Sequence, residues 1–108
     1  KLPVGSIIDV DKIRRYLLLP RLVDDKSKFL EAAGYTLAQW EELERDIRSA
    51  IAEYDAVEVR TDIYGMFYEV RAKWKGPNGR EILVVTVWVR LKETGQTRFV
   101  TLYPDRKG

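Results

Sequence analysis

The residue types that could do chemistry in this chain are cations, carboxylates and hydroxyls. Its 108 residues include no His and no Cys. That removes thiolate and imidazole metal ligands, Ser-His and Cys-His nucleophile arrangements, and zinc hydrolysis. Acid–base work is left to carboxylates, Tyr, Lys and Arg, and neither a metal nor a cofactor is expected. If the second half of the chain is a sheet, alternation gathers Glu58, Arg60, Glu69, Arg71, Lys73, Thr86, Trp88, Arg90, Thr101 and Tyr103 on one face. Such a face suits a polyanion: the cations neutralise phosphate and Trp88 offers a base something to stack on. The charge distribution points the same way. Residues 59–108 carry 10 Lys/Arg against 5 Asp/Glu, whereas residues 1–58 carry 9 against 12.

The elements that must position these residues follow from periodicity. Asp9 is a natural N-cap for a first helix over residues 10–18, stopped by Pro20. Asp24 or Asp25 caps a second over 25–33, closed by Gly34. Thr36 to Gln39 has the capping-box pattern and opens the longest helix, 37–54, whose stripe of Leu37, Trp40, Leu43, Ile47, Ala50, Ile51 and Tyr54 is spaced by three and four. The period then changes to two. Strands are predicted at 57–61, 66–75, 80–91 and 97–103, separated by turns rich in Gly, Pro, Asn and Asp. The expected fold is α+β: one domain over residues 1–108, with three N-terminal helices (the helical part, 1–55) packed on one face of a four-stranded antiparallel meander (56–104). Residues 82–89 are apolar on both parities, so the third strand is covered on both faces. Leu83, Val85, Val87, Val89 and Leu91 are purely aliphatic and are assigned to the helices, as is the Met66/Tyr68/Val70/Ala72/Trp74 parity of the second strand. Arg98 has the parity of Val100 and Leu102. It either snorkels at the strand start or is re-aimed by a bulge.

The run from Asp25 to Gly34, a Tyr-Gly turn, Gly-Pro-Asn-Gly-Arg at 76–80, Val-Thr-Val-Trp-Val at 85–89 and Arg-Phe-Val-Thr-Leu-Tyr-Pro at 98–104 together resemble a family of small uncharacterised bacterial domains. Some members of that family stand beside another small gene, and some are fused to larger prophage- or toxin-like proteins. More loosely, helices followed by a sheet ending in hydrophobic-Thr-hydrophobic-Tyr-Pro are similar to the barnase/EndoU/colicin/RelE group of ribonuclease toxins. That resemblance implies a metal-independent endoribonuclease acting on RNA through the open sheet face. Its catalytic groups would be Lys26, Arg71, Arg90, Arg98, Thr101 and Tyr103, with Lys28, Lys73, Thr86 and Trp88 binding substrate. Cations would neutralise the pentacovalent phosphate, and a Tyr or Lys could act as base only if neighbouring cations depressed its pKa. The missing His departs from the barnase and EndoU patterns, and Glu69 is the carboxylate placed to substitute.

The same residues have ordinary structural uses. Arg71 and Arg90, placed at matching parity, can pair with Glu69 and Glu58 across the sheet. Lys26 and Lys28 can pair with Asp24 and Asp25, and Trp88 can be half-buried packing. The alternative function is a non-catalytic interaction module, with Trp88 and Phe67 as anchors for an adjacently encoded small protein or a second copy. A third is plain single-stranded nucleic-acid binding. The candidate partners are therefore RNA, a small antitoxin or immunity protein, and a homo-oligomer. No apolar run reaches the roughly 20 residues that span a bilayer, so no membrane is expected. The absence of Cys fits a reducing, cytoplasmic location. Beginning at Lys1, the chain is expected to be trimmed or cut from something longer.

Overall fold

The computed structural model describes residues 1–20 and 26–106. A π-helical segment, Lys12–Leu17, is followed by helices α1, Ser27–Ala32, and α2, Trp40–Glu53. Then come strands β1, Ala56–Thr61, β2, Gly65–Lys75, β3, Glu81–Leu91, and β4, Thr97–Pro104. They form one antiparallel sheet in the order β1-β2-β3-β4. The mixed α/β class and the four-stranded meander match the sequence reading. The first helical segment, however, is π rather than α: the Leu18 N–H bonds back to the Ile13 carbonyl at 3.1 Å, an i→i+5 closure. The predicted capping of α1 by Asp24 or Asp25 lies outside the described residues. The Thr36 hydroxyl does accept a bond from the Gln39 N–H at 3.2 Å, but in a turn that precedes α2.

One cluster of buried side chains joins the helical segments to the sheet. Ile13 and Leu17 come from the π segment, Leu30 from α1, Leu43, Ile47 and Ile51 from α2, and Val70, Ile82, Val84, Trp88, Phe99 and Leu102 from β2, β3 and β4. This corrects the face assigned to β3. The Ile82/Val84/Thr86/Trp88 side is the one that meets the core, and Leu83, Val85, Val87, Val89 and Leu91 face away. The physical reason is the register. Lys75 pairs with Glu81, so Trp74 lies opposite Ile82, Val70 opposite Thr86 and Tyr68 opposite Trp88. Directly paired residues share a face, and once Val70 is in the core Trp88 must be too. Trp88 and Val84 are wholly buried, and so is Val85 on the other side. β3 is covered on its core face and in part on the other, where Leu83 is 37% exposed.

The turn between β2 and β3 is pinned to the end of α1. The Asn78 amide donates to the Ala32 carbonyl at 2.9 Å and its backbone N–H to Ala33 at 3.2 Å. Gly76 sits so close that a Cβ there would come within 2.2 Å of the Ala33 carbonyl oxygen. Gly34, which ends the α1 turn, has φ +98°, a left-handed conformation for which glycine is the ordinary choice. A further link is the Tyr35 phenol, which donates to Asp46 on α2 and accepts from the Trp74 indole N–H of β2 at 2.6 Å. Burial and the Asp46 carboxylate push that phenol's pKa far above its ordinary value.

β4 carries a bulge at Val100, because Val87 pairs with Thr101 but Trp88 with Phe99. This settles Arg98. The extra residue keeps Phe99 and Leu102 both in the core and re-aims Arg98, opposite Val89, to the far face with Thr101 and Tyr103. The outer edge of β4 is partly closed by the N-terminal stretch. Ile7 bridges Arg98 in parallel, its N–H donating to the Thr97 carbonyl and its carbonyl accepting from Phe99, each at 2.8 Å. Arg48 of α2 holds this stretch through the Ser6 carbonyl at 2.8 Å.

Candidate functional site

The residues proposed from sequence do not gather in one place. Thr86 and Trp88 are in the core. The Trp88 indole N–H donates to the Thr86 hydroxyl at 2.9 Å, that hydroxyl donates to the Val70 carbonyl at 3.3 Å, and the Trp88 ring meets Phe99 edge-on at 5.3 Å. Neither can touch a substrate on the outer face. Trp88 is equally excluded as an interface anchor, and Phe67 is only 8% exposed, with the Arg60 guanidinium 3.8 Å from its ring centre. Arg90 pairs with Met66 and so lies on the opposite side of the sheet from Arg71, which pairs with Val85. Five residues along β3 separate those positions, about 17 Å at the strand rise, so Arg71 and Arg90 do not converge. Arg90 instead lines a shallow recess with Met66, Lys92 and Gly95.

On the outer face Arg71, Lys73, Arg98, Thr101 and Tyr103 share a side, and part of the set is tied together. Tyr103 donates to Glu69 Oε2 at 2.9 Å. Arg71 reaches Glu69 Oε1 at 3.3 Å and Asp105 Oδ1 at 3.0 Å. Arg71 and Tyr103 both pair with Val85 from opposite neighbours. Their link through Glu69 therefore spans the aliphatic middle of β3 as a polar strap. Asp105 holds the Arg71 guanidinium more firmly protonated than usual. Burial, and then the bond to Glu69, push the Tyr103 phenol above its ordinary 10.0. That is the opposite of what a general base needs. The strap is a set of satisfied pairs, and its one cation, Arg71, already has two carboxylates.

Lys26 and Thr101 come together elsewhere. A cleft of about 250 Å³ at the outer edge of β4 is lined by Lys12, Tyr16, Leu17, Lys26, Phe99, Val100 and Thr101. The local structure explains each. Lys26 is the residue before α1. The bulge turns the Val100–Thr101 backbone outward. Lys12 and Tyr16 stand one above the other on the π segment, with Lys12 Nζ 5.4 Å from the Tyr16 ring centre. Among the described residues no carboxylate lines the cleft, and neither Lys12 nor Lys26 is in an ion pair. Asp11, on the same segment, pairs with Arg15. Lys28 is exposed on α1, outside the cleft. Lys12 and Tyr16 were missed from sequence because Lys12 reads as a solvated position. Only the packing of the π segment beside β4 brings it to the cleft. Two ammonium groups and two hydroxyls around a small apolar-walled recess can bind an oxyanion. No group of three or more His, Cys, Asp or Glu among the described residues is gathered for a metal, and no helix among them is long and apolar enough to cross a membrane.

A four-stranded meander with helices preceding it, and a cationic cleft where they meet, defines a small mixed α/β domain. The chain belongs to the family described as Domain of unknown function (DUF6883), which it matches over residues 4–106. No curated protein sequence matches it. Among solved structures it is similar to a chain of the contact-dependent growth inhibition toxin–immunity protein complex from Klebsiella pneumoniae 342. The TM-score is 0.71 at 20% identity, over 94% of this chain and 95% of that one. At that identity the likeness is one of fold.

Proposed function

We propose that this is a toxin-like domain that acts on RNA, with the helices forming one layer on the Trp88 side of the sheet and the cleft at the β4 edge as its working site. The observation that carries the reading is the meeting of Lys12, Lys26, Tyr16 and Thr101 in one recess that no described carboxylate lines. The fold shared with a chain of a toxin–immunity complex supports it. On this reading the two ammonium groups hold a backbone phosphate and offset the charge that grows on its oxygens when the neighbouring 2′-hydroxyl, losing its proton to water, attacks phosphorus. The bond to the 5′-oxygen breaks, that oxygen taking a proton from water, and a 2′,3′-cyclic phosphate remains. The Thr101 hydroxyl orients those oxygens. Arg98 and Lys73 act at one remove, extending the positive charge over the outer face, while Arg71 and Tyr103 hold the strap.

Induced expression in bacteria, with growth and total RNA followed, tests this. Growth arrest with RNA cleavage, relieved by the Lys12→Ala/Lys26→Ala double variant at unchanged melting temperature, is the expected result. A wild-type chain that causes no arrest and no cleavage would sink the reading. A second reading, a module that binds a small immunity-like protein, has its own support in the exposed Val57, Ile63 and Tyr64 at the β1 end of the sheet, the last two 82% and 65% exposed. It predicts co-elution with the product of an adjacent gene, lost on Ile63→Asp.

A further inference from the structure

Resting on the RNA reading above, we propose that the cleft takes single-stranded RNA: Lys12 and Lys26 grip one backbone phosphate while the Tyr16 ring receives the adjoining base. Three observations lead there. The first is size. At about 250 Å³ the recess is smaller than the roughly 300–1,000 Å³ that encloses a drug-sized ligand. It has room for a phosphate and part of a sugar, and the base must rest at its mouth.

The second is what stands at that mouth. Tyr16 is 47% exposed although its neighbour Leu17 is only 2% exposed and Ile13 is fully buried. A half-exposed ring beside a phosphate-sized recess is the arrangement that single-strand binders use, cations along the backbone and aromatic faces for bases. The third is the segment that presents it. A π-helical turn has poorer geometry than an α-turn and occurs disproportionately at functional sites. Here it lets Ile13, Leu17 and Leu18 all enter the core while leaving Lys12 and Tyr16 stacked on the cleft side. In a duplex the bases are stacked on each other and the ring has nothing to receive. The substrate class is therefore unpaired RNA.

The test uses the full chain and a short 2′-O-methyl oligoribonucleotide, which lacks the nucleophile for cleavage, offered single-stranded and as a duplex with its complement. Fluorescence anisotropy reads binding across a salt series. The single strand should bind roughly tenfold more tightly than the duplex, and Tyr16→Ala should lose roughly tenfold while Tyr16→Phe keeps wild-type affinity. Lys26→Ala should reduce the slope of log K against log salt by about 0.7, the amount expected for one phosphate contact on a single strand. Lys75→Ala, an equal change of charge on β2 away from the cleft, should leave the slope nearer the wild-type value. If Lys26→Ala lowers the slope but Tyr16→Ala binds as wild type, or if duplex and single strand bind alike, the base platform is overturned and the RNA reading stands. If the wild-type chain binds neither probe, the RNA reading itself fails.

Discussion

The Tyr103 hydroxyl donates a hydrogen bond to Glu69, and Glu69 in turn meets Arg71. Because the folded-state pKa of Tyr103 lies above its ordinary 10.0, the bond's contribution is complete below pH 10. It is lost as pH rises through the folded value. Tyr103→Phe should therefore cost about 1 kcal/mol at neutral pH, with the gap narrowing in alkali. Urea melts at the two pH values measure it, and no loss at neutral pH would show the strap to be idle. Asp62 works with the opposite sign. Its carboxylate accepts from the Tyr64 N–H at 2.8 Å and pairs with Arg60 at 2.8 Å. The Tyr64 backbone bond foremost, with Arg60 adding to it, holds its pKa below the ordinary 3.8. What Asp62 contributes is present above 3.8 and lost as pH falls through the lower folded value. Asp62→Ala should melt below wild type at neutral pH, and the two curves should draw together in acid.

At the scale of elements, β3 shows how far the sequence could be read. Its existence, length and two-sided burial follow from a run of β-branched and aromatic residues with no charge. Which face meets the helices does not, since Leu83/Val85/Val87/Val89 and Ile82/Val84/Thr86/Trp88 are both apolar. The deciding information is in the turn. A hairpin centred on Asn78 pairs even with even, so placing Tyr68, Val70 and Trp74 inward commits Ile82, Val84 and Trp88 with them. The predicted bounds, 66–75 and 80–91, leave a four-residue turn that pairs odd with even and sends Leu83 and Val85 inward. The turn holds five residues, 76–80, and that reverses the face. The bulge at Val100 has no such signal, which is why Arg98 stayed open. The cleft was half legible. Lys26 and Thr101 were singled out, whereas Lys12 and Tyr16 depend on an i→i+5 turn that no spacing in the sequence announces. The corrected face makes a sharp prediction. Trp88→Ala should destabilise by about 3–5 kcal/mol, as a buried aromatic does, when read by denaturant unfolding. A Trp on a solvated face would cost far less. Gly76→Ala should cost about 2 kcal/mol or more, because backbone rather than a pliable side chain blocks the added methyl.

The molecule as a whole has a Cα radius of gyration of 13.4 Å, close to the roughly 13 Å expected for a chain of this length folded around one core. Helices and sheet contribute to a single buried cluster. Tryptophan fluorescence, from Trp40, Trp74 and Trp88 together, and far-UV circular dichroism should therefore report one coincident transition. Separate midpoints would mean that the helical part and the sheet melt apart. One contact made beside the cleft bears on how copies of the chain behave together. Ile7 fills the start of the β4 edge and Arg48 keeps it there through Ser6. The N-terminal stretch is thus a chain stopper: it occupies hydrogen-bonding positions where a strand from another molecule could otherwise add. Clip it off, or loosen it with Arg48→Ala, and the sheet becomes a monomer with a reactive end. Light scattering should then follow a concentration-dependent growth of the particles that the intact chain does not show.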